Sequence, residues 1–191
     1  MIDATKSKNY GFKAIPKDLT SIAQRLIKNE NLCKLLYYTC RDIYSKDNLS
    51  SELKEQLLEE EYIQIVPRVR LNEENKIQNY MVLNFDDFNL NADNPMYFDG
   101  LFTVDILCHI DNWKINDKFG DLELRPYSIA QIVMEICDRQ KFSGIGEMQF
   151  YTAKQTILAS DTDYCGLSLT FGFVNSRFAS DKYPNTKPNL N

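Results

Sequence analysis

The sequence predicts an α+β fold: a mostly antiparallel sheet with one sheet-packing helix, preceded by an N-terminal helical segment. Three observations indicate this class. Apolar residues in the first third recur every three or four positions, which is the period of a helix. After Glu61 they alternate at every second position, which is the period of a strand. One further stripe of helical period then lies between two stretches of strand period.

Three helices are expected in the helical segment, residues 17–60. We expect Asp18 to cap the first helix and a break at residues 29–31 to precede the second. The third begins near Ser50 or Ser51 and ends at the glutamates 59–61, because carboxylates at a C-terminus oppose the helix dipole. Their apolar stripes are Leu19, Ile22, Ala23, Leu26 and Ile27; Leu32, Leu35, Leu36, Cys40 and Ile43; and Leu53, Leu57 and Leu58.

The first strands are predicted to form a hairpin. Residues 63–71 alternate, and Pro67 marks them as an edge strand or a bulge because proline cannot donate to a ladder. A turn at 72–75 leads to a second alternating run at 77–85. Residues 86–99 are rich in Asp and Asn, so we expect a long polar loop there.

The second half contains a core strand, the sheet-packing helix and two closing strands. The cleanest alternation is Phe102, Val104, Ile106, Cys108 and Ile110, followed by a loop at about 113–124. Pro126 suits the first turn of a helix, and Ser128 with Gln131 favours a capping box. The stripe of this helix, expected at about 127–140, is Ile129, Ile132, Val133, Ile136 and Cys137. A turn at 143–146 precedes a strand with Met148, Phe150 and Thr152, and the last strand holds Leu167, Leu169, Phe171 and Phe173.

The chain is therefore predicted to hold one domain. It comprises a polar arm (1–16), an α+β domain (17–174; helical segment 17–60, sheet plus helix 62–174) and an exposed C-terminal tail (175–191). No apolar run approaches the roughly 20 residues of a membrane helix, and the N-terminus has no apolar signal core. We expect a protein that stays in the cytoplasm where it is made.

Charge and cysteine content exclude further classes. The net charge is −5 with both signs interspersed, and there is no Lys/Arg block to grip a nucleic-acid backbone. Direct nucleic-acid binding by the monomer is therefore not expected, whereas the channel of an oligomer could still make non-specific contact with DNA. The five cysteines are odd in number, scattered and without a C-x-x-C pair, which is typical of free thiols in a reducing compartment.

Residues with chemical potential are few. His109 is the single histidine, and its neighbour Cys108 points to the opposite face of the strand, so the two cannot form a Cys–His pair. The acidic loop residues Asp86, Asp87, Asp93 and Asp99 lack EF-hand spacing. The pair Gly144 and Gly146 follows a helix, whereas a phosphate loop precedes one. We predict no catalytic, metal or cofactor residues.

One enzymatic alternative remains. Asp105 on the core strand, with Asp121, Glu123 and Lys118 nearby in the sequence, is the best constellation for a metal-dependent hydrolase or nuclease. The stretch 52–54 has the letters E-x-K of such enzymes but lies on a predicted helix. A second alternative is an intracellular adaptor that binds one protein through the three-helix segment.

The element order resembles a known family. The predicted hairpin, the core strand 101–108, the loop with Trp113, the helix opened by residues 124–126 and the closing strands resemble the tail-terminator and tail-completion proteins of tailed bacteriophages. Connector ring proteins of crAss-like phages share this layout. The resemblance covers residues 62–174, and this chain departs from the pattern by its long helical front third.

The resemblance implies a structural virion protein rather than an enzyme. Such a protein forms a homo-oligomeric ring, of six or twelve subunits, in the head-to-tail connector or neck. It is assembled in the host cytoplasm beside portal, connector or tail proteins, without a membrane. Such rings bind their neighbours by sheet edges, loops and terminal arms.

Overall fold

The structure, a computed structural model, describes residues 15–59, 62–65, 77–90, 97–142, 145–157 and 163–176. In chain order the elements of these residues are α1 (Ile15–Leu26), α2 (Glu30–Tyr37), a 3₁₀ helix (Ile43–Ser45), α3 (Ser51–Glu59), β1 (Ile63–Gln64), β2 (Asn79–Leu90), β3 (Tyr97–His109), a second 3₁₀ helix (Ile110–Asn112), β4 (Lys114–Asn116), β5 (Leu122–Leu124), α4 (Arg125–Cys137), β6 (Lys141–Phe142), β7 (Gly146–Ile157) and β8 (Tyr164–Ser176).

Six strands form one curled, mixed sheet in the order β1-β2-β3-β8-β7-β6. β1 runs parallel to β2, and every other neighbouring pair is antiparallel. β4 and β5 form a separate two-stranded hairpin. The long central strands β2, β3, β8 and β7 thus provide a platform, and the helices and the small hairpin lie around it.

The predicted fold class was wrong. The described chain is mostly sheet, with four α-helices, and more than one of them packs on the sheet. Both α1 and α2 contact β2, and α4 contacts β3, β7 and β8. The reason lies in the apolar stripes: Ile22, Leu26 and Leu35 are fully buried in the same core as the strands. A helix whose apolar stripe joins the sheet core packs on the sheet. It is therefore not a separate segment that precedes the sheet domain.

The predicted first hairpin was also wrong. Ile63 is paired with Met81 and Gln64 with Val82, in parallel register. β2 instead forms its antiparallel partnership with β3, in which Met81 faces Ile106. Alternation identifies a strand but not its neighbour, so residues 63–64 and 79–85 are strands as predicted while their pairing is not, and the rest of the first run, 66–71, lies outside the described residues. Pro67 and the turn at 72–75 lie outside the described residues.

Both ends of the predicted polar loop at 86–99 are strand, and residues 91–96 lie outside the described residues. β2 continues to Leu90, and β3 starts at Tyr97. The register shifts between Asp86 and Phe88, and Asp87 has a left-handed φ of 45°. Aspartate tolerates this conformation better than most residues, so the strand absorbs a bulge and continues. The Asp- and Asn-rich composition that predicted a loop therefore accompanies a bulge within a strand here.

The predicted loop at about 113–124 contains the β4–β5 hairpin. Other expectations agree with the structure: α3 begins at Ser51, α4 at Arg125, and the predicted core face of β3 is buried at Phe102, Val104 and Ile106. The predicted faces of the closing strands are likewise buried at Met148, Leu167, Leu169, Phe171 and Phe173.

Candidate interaction surface

The residues of the enzymatic alternative do not form a metal site. Among the described residues no three His, Cys, Asp or Glu side chains lie together in a way that could hold an ion. Asp105 lies within the main sheet opposite Val82 and Ser168. Glu123 instead accepts a hydrogen bond from Ser128 at 2.9 Å, on the small hairpin. Of the acidic loop residues, Asp93 lies outside the described residues.

His109 ends β3 and caps the second 3₁₀ helix. Its Nδ1 accepts a hydrogen bond from the Asp111 backbone N–H at 3.3 Å, and its ring packs edge-on against Tyr164. Asp111 and Asp163 each place a carboxylate oxygen within 4 Å of a ring nitrogen. These contacts give His109 a structural role at the strand end.

The cysteines are free thiols. Burial raises the pKa of Cys33 to about 11, and burial raises the pKa values of Cys108 and Cys137 to about 12. A thiol needs its thiolate form to act as a nucleophile, so these three are inert at neutral pH. They serve as small apolar residues in the core.

Arg125 is the central polar residue of the structure. Its side chain is fully buried, and its guanidinium donates to the carbonyl oxygens of Asn112, Leu35, Tyr38 and Cys40 at 2.6–2.8 Å. Two of these carbonyls belong to the end of α2, where unpaired C=O groups and the helix dipole favour a cation. Burial lowers the pKa of the guanidinium.

Two asparagines extend this buried network. Asn79 of β2 donates through Nδ2 to the carbonyls of Leu35 and Leu36, at 3.2 and 3.3 Å. Its Oδ1 accepts from Nδ2 of Asn112 at 3.5 Å. The end of α2 is therefore tied to β2, to the second 3₁₀ helix and to the start of α4. This hydrogen-bond network holds together the end of α2 and the start of α4, which flank the small hairpin.

The stem of the β4–β5 hairpin is anchored on both sides. Ile115 is fully buried in the core, and the Asn116 backbone N–H donates to the carbonyl of Arg41 at 3.0 Å. The backbone N–H of Arg125 donates to the carbonyl of Trp113 at 2.8 Å. The hairpin is thus held against the loop after α2 and against the start of α4.

The tip of the hairpin is ordered by one aspartate. Oδ1 of Asp117 accepts hydrogen bonds from the backbone N–H groups of Phe119 and Asp121, each at 2.7 Å. Gly120 occupies the left-handed region with φ 91°, which glycine adopts without strain. The result is a fixed turn that holds the Phe119 side chain 91% exposed. Burial would be the normal state of such a ring.

An open groove of about 500 Å³ lies beside this tip. Its lining includes Phe119, Leu124 and Tyr127, together with the charged residues Lys118 and Glu123. The Tyr44 ring, which also lines the groove, has the Lys118 ammonium 6.0 Å from its centroid. Burial, with Glu123 beside it, raises the pKa of the Tyr44 hydroxyl. Exposed Leu122 extends the apolar area of the hairpin.

A second interaction feature is the edge of β7. β6 pairs with β7 only at Gly146 and Glu147, and no other described strand lies on that side. The Met148 and Phe150 amides are satisfied by Gln140 O and by the Asp138 carboxylate. After the register shift between Phe150 and Thr152, no described strand or side chain bonds this edge.

The ladder pattern shows which backbone groups that edge presents. Successive residues of an antiparallel strand direct their N–H and C=O groups to alternate sides. The shift reverses this alternation, so Ala153, Gln155 and Ile157 direct theirs away from β8. Tyr151 and Ile157 are 76% and 68% exposed. An open edge flanked by exposed apolar residues is a template for pairing with another chain.

Sequence reasoning missed two of these features. It treated the hairpin as a loop, although Asp117 followed three residues later by Gly120 is a turn signal. It noted Arg125 only as part of a helix start, because a single sequence does not show which carbonyls accept hydrogen bonds from a buried cation.

The expected capping box is absent: Ser128 donates to Glu123 and to the Leu124 carbonyl instead. Asp18 lies inside the first turn of α1 and not at its cap.

Comparisons with known proteins indicate a family for this chain. The described helices include none whose length and apolar character would let it cross a membrane. A comparison with curated proteins returns no match. The model of the YomW family matches residues 29–173, which span most of the chain and cover α2, the main sheet, the hairpin and α4. YomW is a phage-associated family, and this is compatible with a phage protein. The chain belongs to the YomW family.

Proposed function

We propose that the chain is a structural virion protein that forms an oligomeric ring, of six or twelve subunits, in the head-to-tail connector or neck of a tailed phage. Membership of a phage-associated family supports the phage setting. Within residues 62–174, the core strand, the helix that follows it and the closing strands still resemble tail-completion proteins, which supports a position in the neck, whereas the hairpin of that resemblance is not found. Portal, connector or tail proteins are the proposed neighbours, and the role is not catalytic.

The open edge of β7 is the observation that carries this proposal. Within the described residues, the outward backbone groups of Ala153, Gln155 and Ile157 have no hydrogen-bond partner, and a strand of another chain would supply one. A head-to-tail contact of this kind closes into a ring when the rotation between subunits divides the circle. Natural proteins normally protect such an edge with charge, proline or a covering element. Here Lys154 is the only charged residue between Tyr151 and Ile157.

The proposal is tested by removing a hydrogen-bond donor from this edge while the fold stays intact. In Gln155→Pro the ring nitrogen has no N–H, so the outward edge loses a donor while the ladder to β8 keeps its bonds. We expect wild-type protein to give discrete oligomers of six or twelve subunits in sedimentation velocity and negative-stain microscopy. The proline variant should sediment as smaller species. The protein concentration that it needs for assembly should be at least ten-fold higher than that of the wild type.

Gln155→Thr is the matched control, because it removes the same side chain but keeps the N–H and favours a strand. It should assemble like the wild type. Circular dichroism of all three proteins establishes that the fold is intact. A wild type that remains monomeric at high concentration, alone and with its neck neighbours, contradicts the proposal, as does full assembly of the proline variant.

A further inference from the structure

The β4–β5 hairpin and the groove beside it form a self-complementary surface. The hairpin projects an apolar knob, Phe119, and the adjacent groove is lined by Leu124, Tyr127 and Tyr44. Its volume of about 500 Å³ exceeds that of one aromatic side chain. We propose that two copies of this chain bind each other here about a two-fold axis, the Phe119 of each copy entering the groove of the other.

The placement of knob and groove favours two-fold symmetry. In an isologous contact the same patch serves both partners, so a knob and its receptor must lie side by side on one surface. Phe119 itself lines the groove, which places the two features next to each other. A rotation of half a turn about an axis between them puts each knob over the opposite groove.

The rigidity of the knob favours affinity. The Asp117 carboxylate fixes the tip through the amides of Phe119 and Asp121, and Ile115 anchors the stem in the core. Little conformational entropy is therefore lost when the ring becomes buried, which is the advantage of a preorganised binding element. Aromatic residues in well-packed pockets are the residues that dominate binding energy at interfaces.

Charge selects a second copy as the occupant. Lys118 precedes the knob and, like Asp117 and Glu123, lines the groove, so this one patch carries charges of both signs side by side. No ion pair joins Lys118 and Glu123 within one chain in the part that the structure describes. When the knob of one copy enters the other groove, its Lys118 approaches the Glu123 of that copy. The two-fold axis makes this pair twice, so the contact is complementary in charge as well as in shape.

This contact does not depend on the proposed ring, because it shares no residue with the β7 edge. Where the ring also forms, six such contacts would join two six-subunit rings face to face into a twelve-subunit assembly. Substitutions in the hairpin would then reduce twelve subunits to six, whereas substitutions in β7 would break the rings and leave dimers. Failure of one proposal is therefore distinguishable from failure of the other.

The sharpest test exchanges the charges between copies. Lys118→Glu gives a chain with acidic groups at both positions, and Glu123→Lys gives a chain with basic groups at both. To separate this contact from the ring, both changes are made with Gln155→Pro in the background. Sedimentation equilibrium should show that each variant alone dimerises at least ten-fold more weakly than its parent. An equimolar mixture should regain the dimer, because the acidic copy and the basic copy then form two opposite-charge pairs.

Phe119→Ser tests the knob independently, and its exposure means that the fold should tolerate it. It should weaken the dimer at least ten-fold. Ile110→Ser, an exposed apolar residue outside the groove, and Lys114→Glu, the same charge change on the same hairpin, are the controls and should leave the dimer unchanged. A monomeric parent, an unaffected Phe119→Ser dimer, or a mixture that stays monomeric would each overturn the proposal.

Discussion

Arg125 shows how a single residue joins distant parts of the chain. Its guanidinium fills the space between the end of α2, the following loop and the second 3₁₀ helix, and donates to four backbone carbonyls. Desolvation of a cation is costly, and here the hydrogen bonds from the charged guanidinium to the carbonyl oxygens offset that cost. Lysine would not replace it, because the guanidinium donates from three separate nitrogens, whereas an ammonium has its donors on one.

We expect Arg125→Met to lower the free energy of unfolding by at least about 3 kcal/mol, because it leaves several buried carbonyls without donors. Urea denaturation measures this loss. Arg139→Met, at a side chain that is 84% exposed, is the control and should change stability by about 0.5 kcal/mol or less. Equal stabilities of the two variants would contradict the anchoring role.

The buried thiol of Cys108 predicts a pH dependence of stability. Its pKa rises from an ordinary value of 9.0 to about 12 because burial disfavours the thiolate. Below pH 9 the thiol is neutral in both states, so its contribution is fully present. Above pH 9 the unfolded chain ionises first, and stability falls as the pH rises toward the folded pKa.

We therefore expect the wild type to lose roughly 1 kcal/mol more stability than Cys108→Ala between pH 8 and pH 10. Urea unfolding at both pH values in the presence of a reductant measures this difference. The loss of packing in the variant is the same at both values and cancels. Parallel pH profiles would show that Cys108 ionises equally in both states.

At the scale of elements, the sequence predicted strands and helices better than their partners. Alternation located the core face of β3, and the 3.6-residue stripe located α4, because burial on one face leaves a period that one sequence displays. The parallel pairing of β1 with β2 leaves no such period. The bulge at Asp87 and the turn at Asp117 both use residues typical of loops, so composition alone could not separate them.

The contact between β3 and β8 predicts a sharp difference between two glycines of one strand. A methyl group at Gly166 would collide with the backbone carbonyl oxygen of Ile106, which a packed sheet cannot move. The same group at Gly172 would meet no atom within 4 Å. Gly166→Ala should therefore cost about 2 kcal/mol or more.

Gly172→Ala is the control and should be neutral or slightly stabilising, since it reduces the entropy of the unfolded chain. Thermal unfolding of both variants measures the difference. Similar melting temperatures would mean that β3 and β8 approach each other less closely than described.

At the scale of the molecule, one core joins the N-terminal helices to the sheet, and the described residues leave the hairpin tip and the β7 edge uncovered. Ile22 and Leu35 share that core with Val104 and Phe171. Because the sequence showed no convergent catalytic set, it predicted assembly through sheet edges and loops, and that stays a prediction. The sequence did not indicate the exposure of Phe119 or the absence of a described partner along β7 after Phe150, because both depend on which strands pair in three dimensions.

A cryo-electron microscopy structure of the assembled protein would show directly whether the β7 edge joins neighbouring subunits. We expect rings in which the backbone of Ala153, Gln155 and Ile157 is hydrogen-bonded to a strand of the neighbouring subunit. An assembly whose β7 edge stays in contact with water, with subunits joined through other surfaces, would contradict this expectation.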